Sequence, residues 1–249
     1  MAVSRPQAIF LGNARAALGN PGQRVVNAGS YAAGATPAGS VFALFGLNLA
    51  PTTGQPAVVP LPGTFLNTTV TVNGEAAPLF YVSPTQINAQ MPEDIQPGVA
   101  TVVVKTGNST SNAVAVEVPA AGTPGIIYYG DNRAVVVDAS QQNVVNTTSA
   151  PAKVGDVLVV YFTGGGPVNA SGPLVTGAGA PGGLSPLAAT SRITVGGVDA
   201  VVSYIGLTPG SIGLYQANFT LPKVAAGDRP LVITIAGNAS NSALIAVSN

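Results

Sequence analysis

Thr69-Val70-Thr71-Val72-Asn73-Gly74 decides the fold class. Its strict alternation sets Val70 and Val72 on one face of an extended strand and the threonines on the other, the pattern of a strand with one side in a core and one in water. Asn73-Gly74 then supplies a tight hairpin turn, since both residues tolerate positive φ. The same grammar continues outward from this hairpin. Short runs rich in Val, Ile, Thr and Tyr are separated by clusters of Gly, Pro and Asn, which predicts many strands and leaves little room for helices. Strands are expected near residues 24–30, 40–46, 68–73, 76–82, 86–91, 100–106 and 111–118, and a second set near 125–129, 134–138, 156–163, 191–195, 200–205, 213–221, 231–236 and 243–247.

The two sets are copies of one another. Pro37-Ala-Gly39-Ser40-Val41-Phe-Ala-Leu-Phe45 resembles Lys153-Val-Gly155-Asp156-Val157-Leu-Val-Val-Tyr161. Thr71-Val72-Asn73-Gly74 with Tyr81 resembles Thr194-Val195-Gly196-Gly197 with Tyr204, each Tyr seven residues after the second turn residue. Gln86-Ile-Asn88-Ala-Gln-Met91-Pro92 matches Gln216-Ala-Asn218-Phe-Thr-Leu221-Pro222, and Gly107-Asn108 through Asn112-Ala113 matches Gly237-Asn238 through Ser242-Ala243. An internal repeat of about a hundred residues with seven or so strands has the size of an immunoglobulin-like sandwich. The expectation is therefore an all-β chain of two tandem immunoglobulin-like β-sandwich domains, residues 24–119 and 120–249, joined at Pro119-Ala-Ala-Gly-Thr-Pro124. Residues 1–23 fall outside both copies and read as an arm or linker: a disordered leader, a strand added to a sheet edge, or the end of a linker.

Composition narrows the function. Of 249 residues only 7% are charged, against a usual share of about 25%, while 47% are hydrophobic. Nine basic residues cancel nine acidic ones, which removes the electrostatic footprint that nucleic acid or anionic lipid requires. With no Cys and no His there is no thiolate, imidazole base or Cys/His zinc site, so neither a metal nor a cofactor is expected. No apolar run reaches the roughly 18 residues of a membrane helix. Residues 1–6 carry no signal peptide, which suits a cytosolic chain or one whose leader was removed before numbering; composition favours the second, hence a secreted or cell-surface location.

Val25-Val26-Asn27-Ala28-Gly29-Ser30-Tyr31, then Pro37-Ala-Gly39-Ser40 through Phe45-Gly46-Leu47-Asn48, resembles the opening of the uncharacterised C-terminal domain family of Solibacter and other acidobacterial secreted proteins. Tyr81-Val82-Ser83-Pro84, Gln86-Ile87-Asn88, Pro124-Gly125-Ile126, Gly206-Leu207-Thr208-Pro209-Gly210 and Gly213-Leu214-Tyr215-Gln216-Ala217-Asn218 extend the resemblance from about residue 24 to the C-terminus. That family resembles bacterial Ig-like modules at the ends of large exported proteins. The resemblance implies export and a non-catalytic role.

Several motifs invite chemistry. Gly177-Ala-Gly179-Ala-Pro-Gly182 satisfies the spacing of a dinucleotide loop, but Pro181, Gly183 and Pro186 prevent the helix that such a loop must open, so it reads as a long flexible loop. Glu75, Glu93, Asp94, Asp131, Asp138 and Asp199 are the carboxylates available for a glycosidase pair, and no spacing singles out two of them. A Ser-Lys nucleophile would need Lys105, Lys153 or Lys223, and no G-x-S-x-G elbow is present. Six N-x-S/T sequons, at Asn67, Asn108, Asn146, Asn169, Asn218 and Asn238, mark polar uncharged turns. No residue is assigned to catalysis.

The candidate partner-binding residues are polar and aromatic. Gln86 with Asn88, and Gln216 with Asn218, sit two apart on a strand and so share a face, where they contact a sugar or partner backbone, or else satisfy loop carbonyls or the domain interface. Tyr128-Tyr129 beside Asp131 is the better exposed aromatic candidate, while Tyr81 and Tyr204 read as core residues with hydrogen-bonded hydroxyls. The function expected is a non-catalytic extracellular structural or adhesive module that presents loops and sheet edges to a partner, a protein or a polysaccharide at the cell surface. The alternatives are a carbohydrate-binding module and a homo-oligomer or fibre in which residues 1–23 complete a neighbour's sheet.

Overall fold

The computed structural model describes residues 9–10 and 25–248. The arm expected over residues 1–23 lies outside the described residues except for Ile9–Phe10, which pairs in parallel with Gly46–Leu47 of its own chain. The fold is all-β: no α-helix occurs among the described residues, and the one helical turn is a 3-10 turn at Ala139–Gln141.

In the first half, β1 (Val25–Asn27), β2 (Val41–Leu47), β3 (Thr68–Val72), β4 (Leu79–Val82), β5 (Gln86–Gln90), β6 (Gly98–Thr106) and β7 (Val114–Val118) form two sheets. One runs β1-β2-β5-β4 and the other β7-β6-β3, all neighbours antiparallel. The second half repeats the plan with β8 (Val136–Asp138), β9 (Val157–Thr163), β10 (Ser191–Val195), β11 (Val201–Leu207), β12 (Tyr215–Thr220), β13 (Gly227–Ile235) and β14 (Ala243–Ser248). Its sheets run β8-β9-β12-β11 and β14-β13-β10. Short strands extend every sheet, among them Tyr128–Tyr129 and Arg133–Ala134 beside β14.

Alternation puts one side of each sheet inward. Phe42, Leu44, Val70, Val72, Ile87 and Val104 belong to one buried cluster drawn from residues 25–118. Leu158, Val160, Phe162, Ile193, Phe219 and Ile233 belong to another, drawn from residues 126–247. The hairpin turns that anchor the repeat have the required backbone: φ is 51° and 88° at Asn73 and Gly74, and 56° and 82° at Gly196 and Gly197. The fourth repeat block needs a correction by one residue. The hairpins that end β6 and β13 turn at 107–108 and 236–237, and Ser111 and Ser240 make the same hydrogen bonds, accepting from Val104 and Ile233. Ser111 therefore corresponds to Ser240, not to Asn241.

The two halves are joined by hydrogen bonds on both sides of the linker. Val41 N donates to Thr163 Oγ1 at 2.9 Å, and Thr163 Oγ1 in turn donates to the carbonyl of Gly213 at 2.8 Å. The 164–184 loop folds back onto the first half through Gly177, whose N–H donates to the Gln90 side chain at 2.7 Å and whose carbonyl accepts from Leu61 at 2.7 Å. The Gly177 loop expected to be flexible is thus tied down, and its N–H is committed to an amide rather than turned toward a phosphate.

Candidate functional site

The outer faces of the two repeated sheets carry the same pattern. On the first, β5 lies between β2 and β4, with Phe45 opposite Gln86 and both Ala43 and Tyr81 opposite Asn88. On the second, β12 lies between β9 and β11, with Tyr161 opposite Gln216 and both Val159 and Tyr204 opposite Asn218. Cross-strand partners point to the same side of a sheet. Each amide pair is therefore flanked by one aromatic ring on either neighbouring strand, the two flanking strands lying about 10 Å apart. No charged residue takes part in either pattern.

A β-bulge produces this face. In β4 the register slips between Leu79 and Tyr81, and in β11 between Val202 and Tyr204. Period-two alternation from buried Leu79 would send Tyr81 inward; the extra residue, Phe80, turns Tyr81 outward and returns Val82 to the core. Ser203 is the extra residue in the second copy. Tyr81 and Tyr204 are thus not core residues, as alternation alone had placed them, but half-buried members of an outer face. The Tyr204 hydroxyl is anchored as expected, donating to the carbonyl of Leu207 at 2.7 Å and accepting from Ser185 N at 3.3 Å. Burial pushes this phenol's pKa up, so it stays protonated.

The amides bond to each other. Gln86 Nε2 donates to Asn88 Oδ1 at 2.9 Å, and Gln216 Nε2 donates to Asn218 Oδ1 at 3.0 Å. Each bond consumes one donor and one acceptor and fixes both side chains. What remains on each pair is a Gln carbonyl oxygen, the second N–H of the Gln amide and an Asn amino group, with no further protein partner among the described residues. An acceptor and a donor held side by side on a half-buried surface match the acceptor and donor character of adjacent hydroxyls.

The aromatic candidates separate. Tyr128 is half-buried, packs against the second core and meets Tyr31 edge-on at 6.4 Å between ring centroids; Tyr31 in turn lies 6.1 Å from Phe45. Tyr128 therefore joins the first face through Tyr31. Tyr129 is 41% exposed, and its hydroxyl donates to the carbonyl of Asn146 at 3.3 Å. Asp131 sits exposed in the turn between Gly130 and Asn132. Sequence reasoning missed Phe45, Tyr161 and Tyr31, although Phe45 and Tyr161 end the first aligned block.

Two of the candidate carboxylates, Asp138 and Asp199, are engaged in local structure. Asp138 Oδ1 accepts from Ser140 N, and Gln141 Nε2 donates to Asp138 Oδ2 at 2.7 Å and to Asp156 Oδ2 at 3.3 Å. Burial, and then a hydrogen bond with Asp156, raise the Asp138 pKa. Asp199 pairs with Arg192 on an exposed hairpin. No group of three acidic side chains converges to hold a metal ion among the described residues, and none of their helices is long and apolar enough to cross a membrane.

No protein-family model matches the chain, and no curated protein matches it by sequence. Solved structures give distant likenesses. The SGBP-B protein of a Bacteroides ovatus mixed-linkage glucan utilization locus, solved with a mixed-linkage heptasaccharide, aligns over 86% of this chain and 42% of its own, with 13% identity and a TM-score of 0.37. SGBP-B from a Bacteroides uniformis xyloglucan utilization locus aligns over 85% of this chain and 45% of its own, with 16% identity and a TM-score of 0.28. A biofilm associated protein BSP domain aligns over 84% of this chain and 27% of its own, with 16% identity and a TM-score of 0.26. The chain thus spans less than half the length of each. Likeness at this level leaves the reading of the site to its own geometry.

Proposed function

We propose that this chain is a non-catalytic adhesive module, secreted or held at a cell surface, that binds an uncharged polysaccharide through the outer sheet faces of its two sandwiches. The observation that supports it is the duplicated arrangement of Gln86 and Asn88 between Phe45 and Tyr81, and of Gln216 and Asn218 between Tyr161 and Tyr204. Aromatic rings give a sugar an apolar platform, fixed amides give it direction, and the lack of charge suits a neutral ligand. Sheet faces, rather than the loops and edges expected from the sequence, carry the contact in this reading. This reading assigns the faces binding and no catalytic step.

The test is affinity electrophoresis of the full chain in gels containing hydroxyethylcellulose or galactomannan, alongside isothermal titration with oligosaccharides of whichever polymer retards it. The expected result is retardation with two sites per chain, one lost in Gln86→Ala/Asn88→Ala and the other in Gln216→Ala/Asn218→Ala, with no new reducing ends released. Unretarded migration in both polymers, or retardation untouched by all four substitutions, sinks the reading.

A further inference from the structure

The bulge residue that turns Tyr81 outward differs between the copies, and so does what lies beside it. In the first sandwich Phe80 lines an open cleft of about 510 Å³ between the two halves, walled by Val41, Val59 and Leu61 on one side and by Ile212 and Leu214 on the other. That volume is within the range of small-ligand sites, about 300–1,000 Å³. No charged side chain lines it. Val59 is 69% exposed, and so presents an apolar side chain to water at the cleft wall. Along β2 the way from Phe45 to Val41 passes Ala43, which is fully buried, so the two surfaces meet instead along β4, where Tyr81 stands opposite Asn88 and the residue before it, Phe80, lines the cleft. The cleft therefore adjoins the amide face at Phe80.

The second sandwich differs at the corresponding positions. Its bulge residue, Ser203, donates from its hydroxyl to the carbonyl of Asn218 at 3.2 Å. Val157, the counterpart of Val41, is 37% exposed where Val41 meets Thr163 and Gly213 of the other half. One copy of the repeat thus sets an apolar cleft beside its hydroxyl-matching amide face, and the other sets a polar bulge residue and an exposed valine at those positions.

We infer that the first face binds a neutral sugar bearing an apolar substituent, an alkyl or acyl chain, with the sugar over Gln86 and Asn88 and the chain in the cleft between the sandwiches. The inference rests on the polysaccharide reading for the sugar half and on the cleft for the rest. The adjacency of the two surfaces selects a ligand that is polar and hydroxylated at one end and apolar at the other, and the uncharged lining excludes an ionic headgroup beside the chain. A second copy of this chain in the cleft is the competing occupant that the experiment separates.

The experiment is titration of the full chain with methyl, hexyl and octyl β-glucosides below their micellar concentrations, by isothermal titration and saturation-transfer NMR, with octan-1-ol as the sugar-free probe. Affinity is expected to rise about fourfold for each methylene that enters the cleft. Val59→Asp and Ile212→Asp, both at solvent-reachable loop positions, are expected to abolish this chain-length dependence while leaving polysaccharide retardation unchanged. Polysaccharide binding with no chain-length dependence overturns the cleft proposal and leaves the polysaccharide reading standing. A dependence that survives both substitutions also overturns it. Octan-1-ol binding as tightly as octyl glucoside, with no polysaccharide bound, removes the sugar from the site and overturns both. Concentration-dependent dimers lost in Val59→Asp, with no glucoside bound, assign the cleft to a second copy instead.

Discussion

Gln90 gives its amide nitrogen to Glu93 and its amide oxygen to the other half of the molecule. Nε2 donates to Glu93 Oε1 at 2.9 Å and to the carbonyl of Gly39 at 3.2 Å, while Oε1 accepts from Gly177 N at 2.7 Å. Glu93 itself donates from its backbone N to Thr176 Oγ1 at 3.0 Å. A single carboxyl thus stands inside the joint between the sandwiches. Burial pushes its pKa up to about 6, against the hydrogen bond from Gln90, which lowers it, and with the neighbouring Asp94 charge adding to the rise.

Because the folded state holds the Glu93 proton more tightly than the unfolded chain does, the stability it contributes is full below the ordinary carboxyl range and is lost as pH rises through about 6. The loss is on the order of 1–2 kcal/mol between pH 4.5 and 7.5. Glu93→Gln keeps the acceptor for Gln90 and removes the charge, so it is expected to stabilise the chain at pH 7.5 and to flatten that slope. Urea unfolding of both proteins across this range checks it, and an unchanged slope in the variant would place the pH dependence elsewhere.

Asn146 closes a sheet edge with one side chain. It is buried, donates from Nδ2 to the carbonyl of Ala246 at 2.8 Å and accepts at Oδ1 from Ala246 N at 2.8 Å, replacing the strand that β14 lacks there. Asn146→Ala leaves a buried N–H and a buried C=O unpaired, at a cost of about 2–4 kcal/mol. Denaturant midpoints measure this; a change under 0.5 kcal/mol would mean that water replaces the amide. The same burial makes Asn146 unavailable to glycosylation in the folded chain, although it opens an N-x-T sequon.

How much of this was legible depends on whether a feature is periodic. The Thr69–Gly74 alternation and hairpin, and the paired blocks around Gly39 and Gly155, announced both sandwiches because strand period and turn chemistry are local. The bulges at Phe80 and Ser203 were not legible: a single extra residue reverses the facing of Tyr81 and Tyr204 yet leaves composition and spacing identical in both copies. Gln86 and Asn88 were readable as one face, but not their mutual hydrogen bond. The cleft was invisible because Val59, Phe80 and Ile212 meet only through the docking of the two halves. The 164–184 loop looked flexible because its tether, Gln90, lies in the other repeat.

The two buried clusters share no residue, so their contributions are separable. Phe42 and Phe219 are fully buried, one in each. Truncation of either to Ala is expected to cost about 3–5 kcal/mol. If each sandwich is its own cooperative unit, hydrogen exchange in Phe42→Ala accelerates across residues 25–118 and leaves β9, β12 and β13 protected, with the reverse in Phe219→Ala. Uniform loss of protection in both variants would instead show that the Gln90–Gly177 and Val41–Thr163 bonds fuse the sandwiches into one unit.

Tyr215 supplies the sharpest steric test of the second core. Its ring lies 5.4 Å from that of Phe162, its hydroxyl donates to the carbonyl of Gly166 at 2.8 Å, and a Cβ on Gly165 would collide with the ring. Tyr215→Phe removes only the donor and leaves one buried carbonyl, a loss of about 1–3 kcal/mol. Gly165→Ala must push the ring from its site or shift the strand end, adding overpacking on the order of 1–3 kcal/mol to any strain on that bond. Since the ring is where the added methyl goes, Gly165→Ala in the Tyr215→Ala background should cost far less than in the wild type. Thermal unfolding of the four proteins gives the coupling, and additive effects would mean that the backbone, not the ring, absorbs the methyl.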